Sequence, residues 1–264
     1  MHLTKMEGLG NDYLYYYGTM ADPASVSVRF SNRHFGIGSD GLILIEPSAA
    51  ADFKMRLFNA DGSEAKMCGN GIRCVGKYVY DKGYTTKKEL TIETLSGLRE
   101  IFLHTGADGK VDSVSVEMGE VVVSDAITLD LGARIGKVTM NPVSTGNPHA
   151  VVFVDRARPI PVRTWGPRIE KHPYFGDGVN VEFVRVIDEN TLRMRVWERG
   201  SGLTMACGTG SCAVAAAAVR AGLCRAGERI CVKLDGGDLH VTVRENGTVL
   251  MEGPAVTICE CEVE

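Results

Sequence analysis

The 264 residues contain no run of basic residues, no apolar stretch long enough to cross a bilayer and no Cys-x-x-Cys pair. Each absence removes a class of function. With 29 Lys and Arg scattered among 33 Asp and Glu, the net charge is −4, which argues against a nucleic-acid surface. The apolar run Ala213 to Val219 is too short for a membrane span, and Met1-His2-Leu3-Thr4-Lys5 carries no signal-peptide hydrophobic region, so no membrane and a cytoplasmic location are expected. Without paired cysteines at zinc-knuckle or redox spacing, no metal site is expected. What remains is a balance of 44% hydrophobic and 23% charged residues, enough for a sizeable core in one large domain or two ordinary ones.

Cysteine is nevertheless present eight times, as Cys68, Cys74, Cys207, Cys212, Cys224, Cys231, Cys259 and Cys261. In a chain of this size without a secretion signal, most should be reduced and buried. Two of them stand in a special context. Cys207-Gly208-Thr209-Gly210-Ser211-Cys212 opens a helical pattern, Ala213-Val214-Ala215-Ala216-Ala217-Ala218-Val219, that is apolar on every side and must run through a core. Upstream, Cys68-Gly69-Asn70-Gly71-Ile72-Arg73-Cys74 does the same. The first turn of a helix has free N–H groups and the positive end of the macrodipole, which stabilise a thiolate or hold a carboxylate. Cys74 and Cys212 lie six and five positions further on, about 240° and 140° around a helix, and read as small core residues. Cys224, Cys231, Cys259 and Cys261 also take the core reading, the last two sharing one face of a strand.

The chain in order supports a duplication. Leu3 to Tyr17 reads as strand broken at Gly8-Leu9-Gly10, which places Asn11 and Asp12; Pro23 to His34 reads as a helix. Leu42 to Ile45 and Phe53 to Phe58 read as strands, and after the Cys68 helix come strands around Leu90 to Glu93, Leu98 to Leu103 and Val111 to Glu117. Gly146-Asn147-Pro148-His149 then parallels Gly10-Asn11-Asp12-Tyr13, Val162 to Lys171 replaces the first helix, and Leu192 to Trp197 answers Phe53 to Phe58. The asparagines stand 136 residues apart (11 to 147) and the cysteines 139 (68 to 207). The expected fold is therefore α/β with mixed sheets, two pseudo-twofold-related domains from a tandem duplication, and an active site in the cleft between them. The boundaries are placed at 1–119 and 120–254.

Two opposed thiols suit one reaction especially well: removing a proton from one face of a carbon and returning one to the other. A proton α to an ammonium and a carboxylate is weakly acidic, so preorganised donors must stabilise the developing charge. The N–H groups after Cys68 and Cys207 supply them. One cysteine starts as thiolate and the other as thiol, and the roles exchange on turnover. No cofactor is required, and no lysine stands in a context that singles it out for a Schiff base.

Together, Gly8-Leu9-Gly10-Asn11-Asp12, Phe58-Asn59-Ala60-Asp61-Gly62-Ser63, Cys68-Gly69-Asn70-Gly71, Gly146-Asn147-Pro148-His149, Glu198-Arg199-Gly200 and Ala206-Cys207-Gly208-Thr209-Gly210 resemble the diaminopimelate epimerase family over almost the full length. The resemblance implies a cofactor-independent enzyme that interconverts LL- and meso-diaminopimelate in lysine and peptidoglycan-precursor biosynthesis. It makes Cys68 the carrier on the L face and Cys207 the carrier on the D face. It places Gly69, Asn70, Gly208 and Thr209 in the turns that hold the reacting carboxylate, and His149 and Glu198 beside the cysteines. Asn11, Asn59, Asn147, Asn180, Glu198 and Arg199 match substrate-binding positions, Arg199 being suited to a bidentate grip on the distal carboxylate. It also implies two domains, each a sheet curled around a central helix, with residues 255–264 crossing back to the first, and bacterial members that are commonly homodimers. At Gly41 this chain lacks the substrate-contacting Gln that some members carry.

Read one by one, the same residues have plainer meanings. Asn11 and Asn147 follow glycine and suit left-handed turn positions, Asn59 can start the Ala60-Asp61-Gly62 turn, and Asn180 can cap a strand. His149 can be a satisfied structural histidine, and Glu198 a solvated strand end raised only by standing, like Asn59, nine residues before its cysteine. Two other functions stay open on the residues alone. One is a two-cysteine racemase of the proline racemase kind acting on another substrate, against which the Asn59 and Glu198-Arg199 contexts speak. The other is a ligand-binding module or thiol redox sensor on the same scaffold.

Overall fold

The computed structural model describes residues 1–155 and 159–264. The chain divides into two compact units, one of Met1–Glu117 with Glu252–Glu264 and one of Met118–Met251. Among the described residues the α-helices are α1 (Pro23–Ser31), α2 (Gly69–Asp81), α3 (Val162–Glu170) and α4 (Gly208–Arg220), and the other elements are strands and a short 3-10 turn, Pro173–Phe175. No helix among the described residues is long and apolar enough to cross a membrane.

In the first unit, Val256–Glu262 pairs antiparallel with His2–Gly8, and His2–Gly8 antiparallel with Asn11–Tyr17. Asn11–Tyr17 runs parallel to Gly41–Glu46, which is antiparallel to Phe53–Asn59; Phe53–Asn59 is parallel to Glu89–Thr94, followed antiparallel by Gly97–Thr105. Helix α2 packs against His2–Gly8, Asn11–Tyr17 and Gly97–Thr105, strands far apart in the sheet order, so the sheet curls around it. The second unit repeats the same order of senses. Lys137–Ser144, Pro148–Phe153, Asn180–Asp188, Thr191–Glu198, Arg229–Lys233 and Asp238–Val243 join as antiparallel, parallel, antiparallel, parallel and antiparallel pairs, with α4 packed on them.

Burial follows the residues. Gly41–Glu46 is buried on both faces: Leu42 and Leu44 join Phe30 of α1 in one cluster, while Ile43 faces α2, as period-two alternation requires. Phe53–Asn59, which alternates in sequence, alternates in burial. Helix α4 is buried at ten of its thirteen positions, and its alanines favour the helix and leave room for the sheet that wraps it. Cys74 and Cys212 are fully buried, as read from the sequence. Cys259 is exposed, and Cys231 and Cys261 are only partly buried, which corrects their core reading; Cys259 and Cys261 do share a face, their sulfurs 3.6 Å apart. The tyrosine run is packing: Tyr15 is buried against Tyr78, and Tyr17 stacks on Tyr84 at 3.9 Å.

Local chemistry sets the element ends. Asp22 accepts from Ser25 N–H at 3.1 Å and Pro23 takes the first turn, starting α1. The helix stops at Ser31, short of the expected His34, because the Asn32 side chain accepts from both His34 and Phe35 N–H at 2.9 Å and turns the chain. Leu9 and Gly10, both at positive φ (61° and 82°), close the two-residue hairpin that brings Asn11 opposite Gly8. Neither Asn11 nor Asn147 is left-handed; the positive φ values fall on Leu9, Gly10 and Gly146.

Gly41 pairs with Asn59, and a β-carbon there would stand 2.1 Å from the Phe58 carbonyl oxygen. No side chain fits, so the departure from Gln is built into the strand pair. Gly41→Ala should destabilise the protein by roughly 1–3 kcal/mol through overpacking against backbone, read by urea unfolding; an unchanged midpoint contradicts that close approach.

Candidate functional site

Each unit builds a similar arrangement at the N-terminus of its central helix. Cys68 is the N-cap of α2 with φ −135° and ψ 119°, and Cys207 the N-cap of α4 with φ −134° and ψ 113°. Each sulfur accepts the third N–H of its helix, Gly71 or Gly210, at 3.4 Å. A thiol in the usual place of Ser or Asp satisfies one first-turn donor. The N–H groups of Gly69 and Asn70, or of Gly208 and Thr209, remain as donors for an anion.

The glycines permit this. A β-carbon on Gly71 would stand 2.6 Å from Ile43 Cδ1, and one on Gly210 2.7 Å from Glu182 Oε1. Each helix end is thus seated against the matching strand of its own sheet, Gly41–Glu46 or Asn180–Asp188.

Around Cys68 the groups are neutral or balanced. The thiol donates to Asn11 Oδ1 at 3.3 Å, and Asn70 Nδ2 donates to the same oxygen at 3.4 Å. Asn11 Nδ2 in turn donates to Asp40 at 2.7 Å, and Asp40 and Asp12 share Arg33, with Lys5 also on Asp12 at 3.0 Å. Burial opposes ionisation of Asp12, but Arg33 and Lys5 outweigh it and hold the carboxyl below its usual range. Tyr13 lies beside Cys68, its hydroxyl pushed up by burial and then by the thiol. The Asn59 side-chain amide donates to Ser63 Oγ at 2.9 Å, and its backbone carbonyl accepts Gly62 N–H.

The Cys207 half-site is acidic. Its sulfur is 3.6 Å from Thr209 Oγ1, to which Asn147 Nδ2 donates at 3.5 Å. His149, fully buried, has Nδ1 2.7 Å from Glu182 and Nε2 3.1 Å from Asn147 Oδ1. Both ring nitrogens face acceptors. Glu198 bonds to Thr204 Oγ1 and is not a solvated strand end: burial raises its pKa above the ordinary carboxylate value, Glu182 adds to the rise, and Thr204, His149 and Cys207 pull against it. Burial, then Glu198 and Glu182, pushes the Cys207 thiol well up, against the Thr209 hydroxyl and Gly210 N–H. A shallow cavity of about 310 Å³ opens beside Asn147 and His149, walled by Pro142, Tyr174 and Phe175.

Asn180 and Arg199 meet. Asn180 Nδ2 donates to Pro148 O at 3.1 Å and its Oδ1 accepts Arg199 N–H at 2.9 Å. The guanidinium is exposed and is engaged, among the described residues, by one long bond of 3.4 Å to Gly178 O. Glu170, at the end of α3, holds the same turn by accepting Trp197 Nε1 at 2.7 Å and Gly200 N–H at 2.9 Å. Glu170, Glu182 and Tyr13 were not singled out by the sequence reading. Tyr13 stands where His149 does in the repeated motif, a signal that could have found it.

The fold itself is shared with enzymes of the racemase and epimerase kind. A probable proline racemase from Agrobacterium radiobacter K84 superposes with a TM-score of 0.75 at 18% identity, covering 100% of this chain and 92% of that one. A phenazine biosynthesis protein of the PhzF family from Bacillus anthracis does so at 0.74 and 17% identity, covering 100% and 99%. Sequence narrows this: the chain belongs to the diaminopimelate epimerase family, whose model matches residues 3–124 and 142–258. The diaminopimelate epimerase of Acetivibrio thermocellus is 50% identical, covering 100% of this chain and 99% of its own length, and that of Methanococcus maripaludis strain S2 is 47% identical, covering 100% of both.

The Glu170 carboxyl tests the support of the Arg199 turn. Burial raises its pKa, but the Trp197 and Gly200 N–H donors outweigh burial and hold it below the usual value of 4.5. A depressed folded-state pKa gives stability that is present above the unfolded value and lost as pH falls through the folded one. Glu170→Ala should therefore cost about 2 kcal/mol near pH 7, and the gap to the wild type should shrink below pH 4.5. A gap that stays constant down to pH 3 contradicts the assignment.

Proposed function

We propose that this enzyme epimerises LL-2,6-diaminopimelate to the meso form without a cofactor, with Cys68 and Cys207 as the two proton carriers. The observation that carries the reading is the pair of cysteines held as N-caps in nearly identical geometry, each against a helix end with donors to spare.

A thiolate at one cysteine takes the α-proton: the C–H bond breaks, an S–H bond forms, and the electron pair spreads into the α-carboxylate. First-turn N–H groups of Gly69, Asn70, Gly208 and Thr209 are placed to receive that charge, where preorganised dipoles cost no reorganisation. The other cysteine then gives its proton to the opposite face of the carbon, and the two thiols leave the turnover with their roles exchanged. Asn11, Asn147 and His149 orient the groups beside the sulfurs. Glu198, its pKa raised by burial, stands beside Cys207 where it can exchange a proton with the thiol. The exposed Arg199 guanidinium, its turn fixed by Asn180 and Glu170, offers the cation that a distal carboxylate needs. A homodimer and a cytoplasmic site of action belong to the same proposal, supported by the resemblance to the family. A solution mass twice the 28.5 kDa of the chain is the expected sign of the dimer, and sedimentation equilibrium reads it.

Proton NMR of LL-diaminopimelate with reduced protein in deuterated water tests the reaction. The α-proton signal should fade as the meso form, deuterated at the α-carbon, appears. Cys68→Ala and Cys207→Ala should each lower epimerisation by at least about 10³-fold, since one face of the carbon loses its carrier. Turnover at the wild-type rate in either variant removes the two-thiol mechanism.

A further inference from the structure

The two half-sites are built alike but charged differently, and one residue that contributes to the difference lies outside the Cys-Gly-x-Gly motifs. Five positions after Cys68 is Arg73; five positions after Cys207 is Cys212. Both side chains are fully buried, so the duplication has placed a permanent cation inside one unit and a cysteine at the matching place in the other.

Arg73 lies along the first turn of α2. Its Nη1 donates to Gly69 O at 3.2 Å and to Asn70 Oδ1 at 3.1 Å, and its Nε donates to Pro254 O at 3.0 Å. Nη2 is buried and meets no hydrogen-bond partner among the described residues, and no carboxylate pairs with the guanidinium. A buried charge needs a counter-ion, because leaving it uncompensated in a low-dielectric interior costs several kcal/mol on the order of magnitude of a buried ion's desolvation.

The anionic candidates that face it are few: Cys74, Cys68, Tyr15 and Glu7. Burial pushes Cys74 up to about 11, and its thiol donates to Glu7 O, so it is neutral at pH 7. Burial likewise holds Tyr15 neutral, its hydroxyl donating to Gly71 O at 3.3 Å. Glu7 is turned to the hairpin, where its carboxylate accepts Gly10 N–H at an exposed position. Cys68 is the remaining group, on the helix turn whose next two residues Arg73 binds. Beside Cys68, burial holds Tyr13 neutral, Asp40 is paired with Arg33, and Asn11 Oδ1, the acceptor of the protonated thiol, is uncharged. Cys207 has the opposite surroundings, with Glu182 and Glu198 close by and Cys212 at the place matching Arg73.

We propose that Arg73 is a positioning residue for the reaction, the buried counter-ion of a Cys68 thiolate, and that the resting enzyme therefore carries its thiolate on Cys68 and its proton on Cys207. This rests on the reading of the two cysteines as proton carriers. It deepens that reading by fixing which carrier acts as base first.

The test is pulse alkylation of the full, reduced, substrate-free protein with iodoacetamide from pH 6 to pH 10, with each cysteine quantified by peptide mass spectrometry. The pH midpoint is the readout, because rates alone also report access. Cys68 should titrate at least about one pH unit below Cys207, a tenfold difference in thiolate fraction. Arg73→Met should raise the Cys68 midpoint by about one unit or more, and Arg73→Lys should restore most of it. A residue that only ties down Pro254 would leave the midpoint where it is. Equal midpoints, a reversed order, or a Cys68 midpoint unmoved in a folded Arg73→Met variant overturns the proposal. If that variant does not fold, the order of the two wild-type midpoints decides. Deuterium exchange into diaminopimelate is measured separately: failure there with the midpoint order intact removes the substrate reading and leaves the charge asymmetry standing.

Discussion

Everything in this molecule depends on a helix end that is buried and still chemically unsatisfied. A helix wrapped by a curled sheet has nowhere to send its first N–H groups except to its own cap, to a ligand or to water. Here the cap is a sulfur, at 3.4 Å in both units, a longer and softer acceptor than the oxygen of Ser or Asp. It satisfies the third N–H and leaves the first two. The helix end thus keeps both a reactive thiol and a place for an anion, and the glycines at 71 and 210 let the supporting strand approach closely enough to hold that end rigid.

Rigidity comes from the sheet order that both units share. In each, antiparallel and parallel pairs alternate, and a second helix covers the outer face of the central strands. This sandwiches Gly41–Glu46 and Asn180–Asp188 between two helices, and so fixes the inward residues Ile43 and Glu182 under the caps. An inward position of that kind normally takes an aliphatic side chain, as Ile43 shows. A fully buried glutamate in the same role, bonded to a buried histidine, is costly in the apolar interior and marks a place where chemistry outweighs packing.

The framework was legible because it rests on patterns that survive without tertiary information. Helix α4 could be read from an apolar run on all sides, Phe53–Asn59 from strict alternation, and the capping cysteines from their identical Gly-x-Gly contexts. What escaped depends on side chains reaching across strands. Nothing local in Val179-Asn180-Val181-Glu182-Phe183 distinguishes Glu182 from a solvent-facing strand glutamate until its neighbour Phe183 is found in the outer cluster with α3. Asn32 ended α1 early by a two-residue side-chain turn that a hydrophobic period cannot show. The exposed Cys259 defeated the usual rule for free cysteine because Val256–Glu262 is exposed along nearly its whole length.

Duplication explains how the two units can share one frame and still differ in charge around their cysteines. The backbone caps, the glycines and the strand order are common to the two halves, and they give either thiol the same helix-end stabilisation. The differences sit at four matched positions: Tyr13 against His149, Ile43 against Glu182, Asn59 against Glu198, and Arg73 against Cys212. Three of these place ionisable groups near Cys207 and one places a cation near Cys68. On the proposed two-thiol mechanism, a reaction that starts with one proton on two equivalent carriers needs some such break in equivalence, since two equal thiols would divide the enzyme between competent and incompetent forms. Buried charge is the economical way to make it, because in a dry interior one guanidinium or one carboxylate shifts a neighbouring thiol far more than it would at the surface, without moving the backbone that both half-sites share.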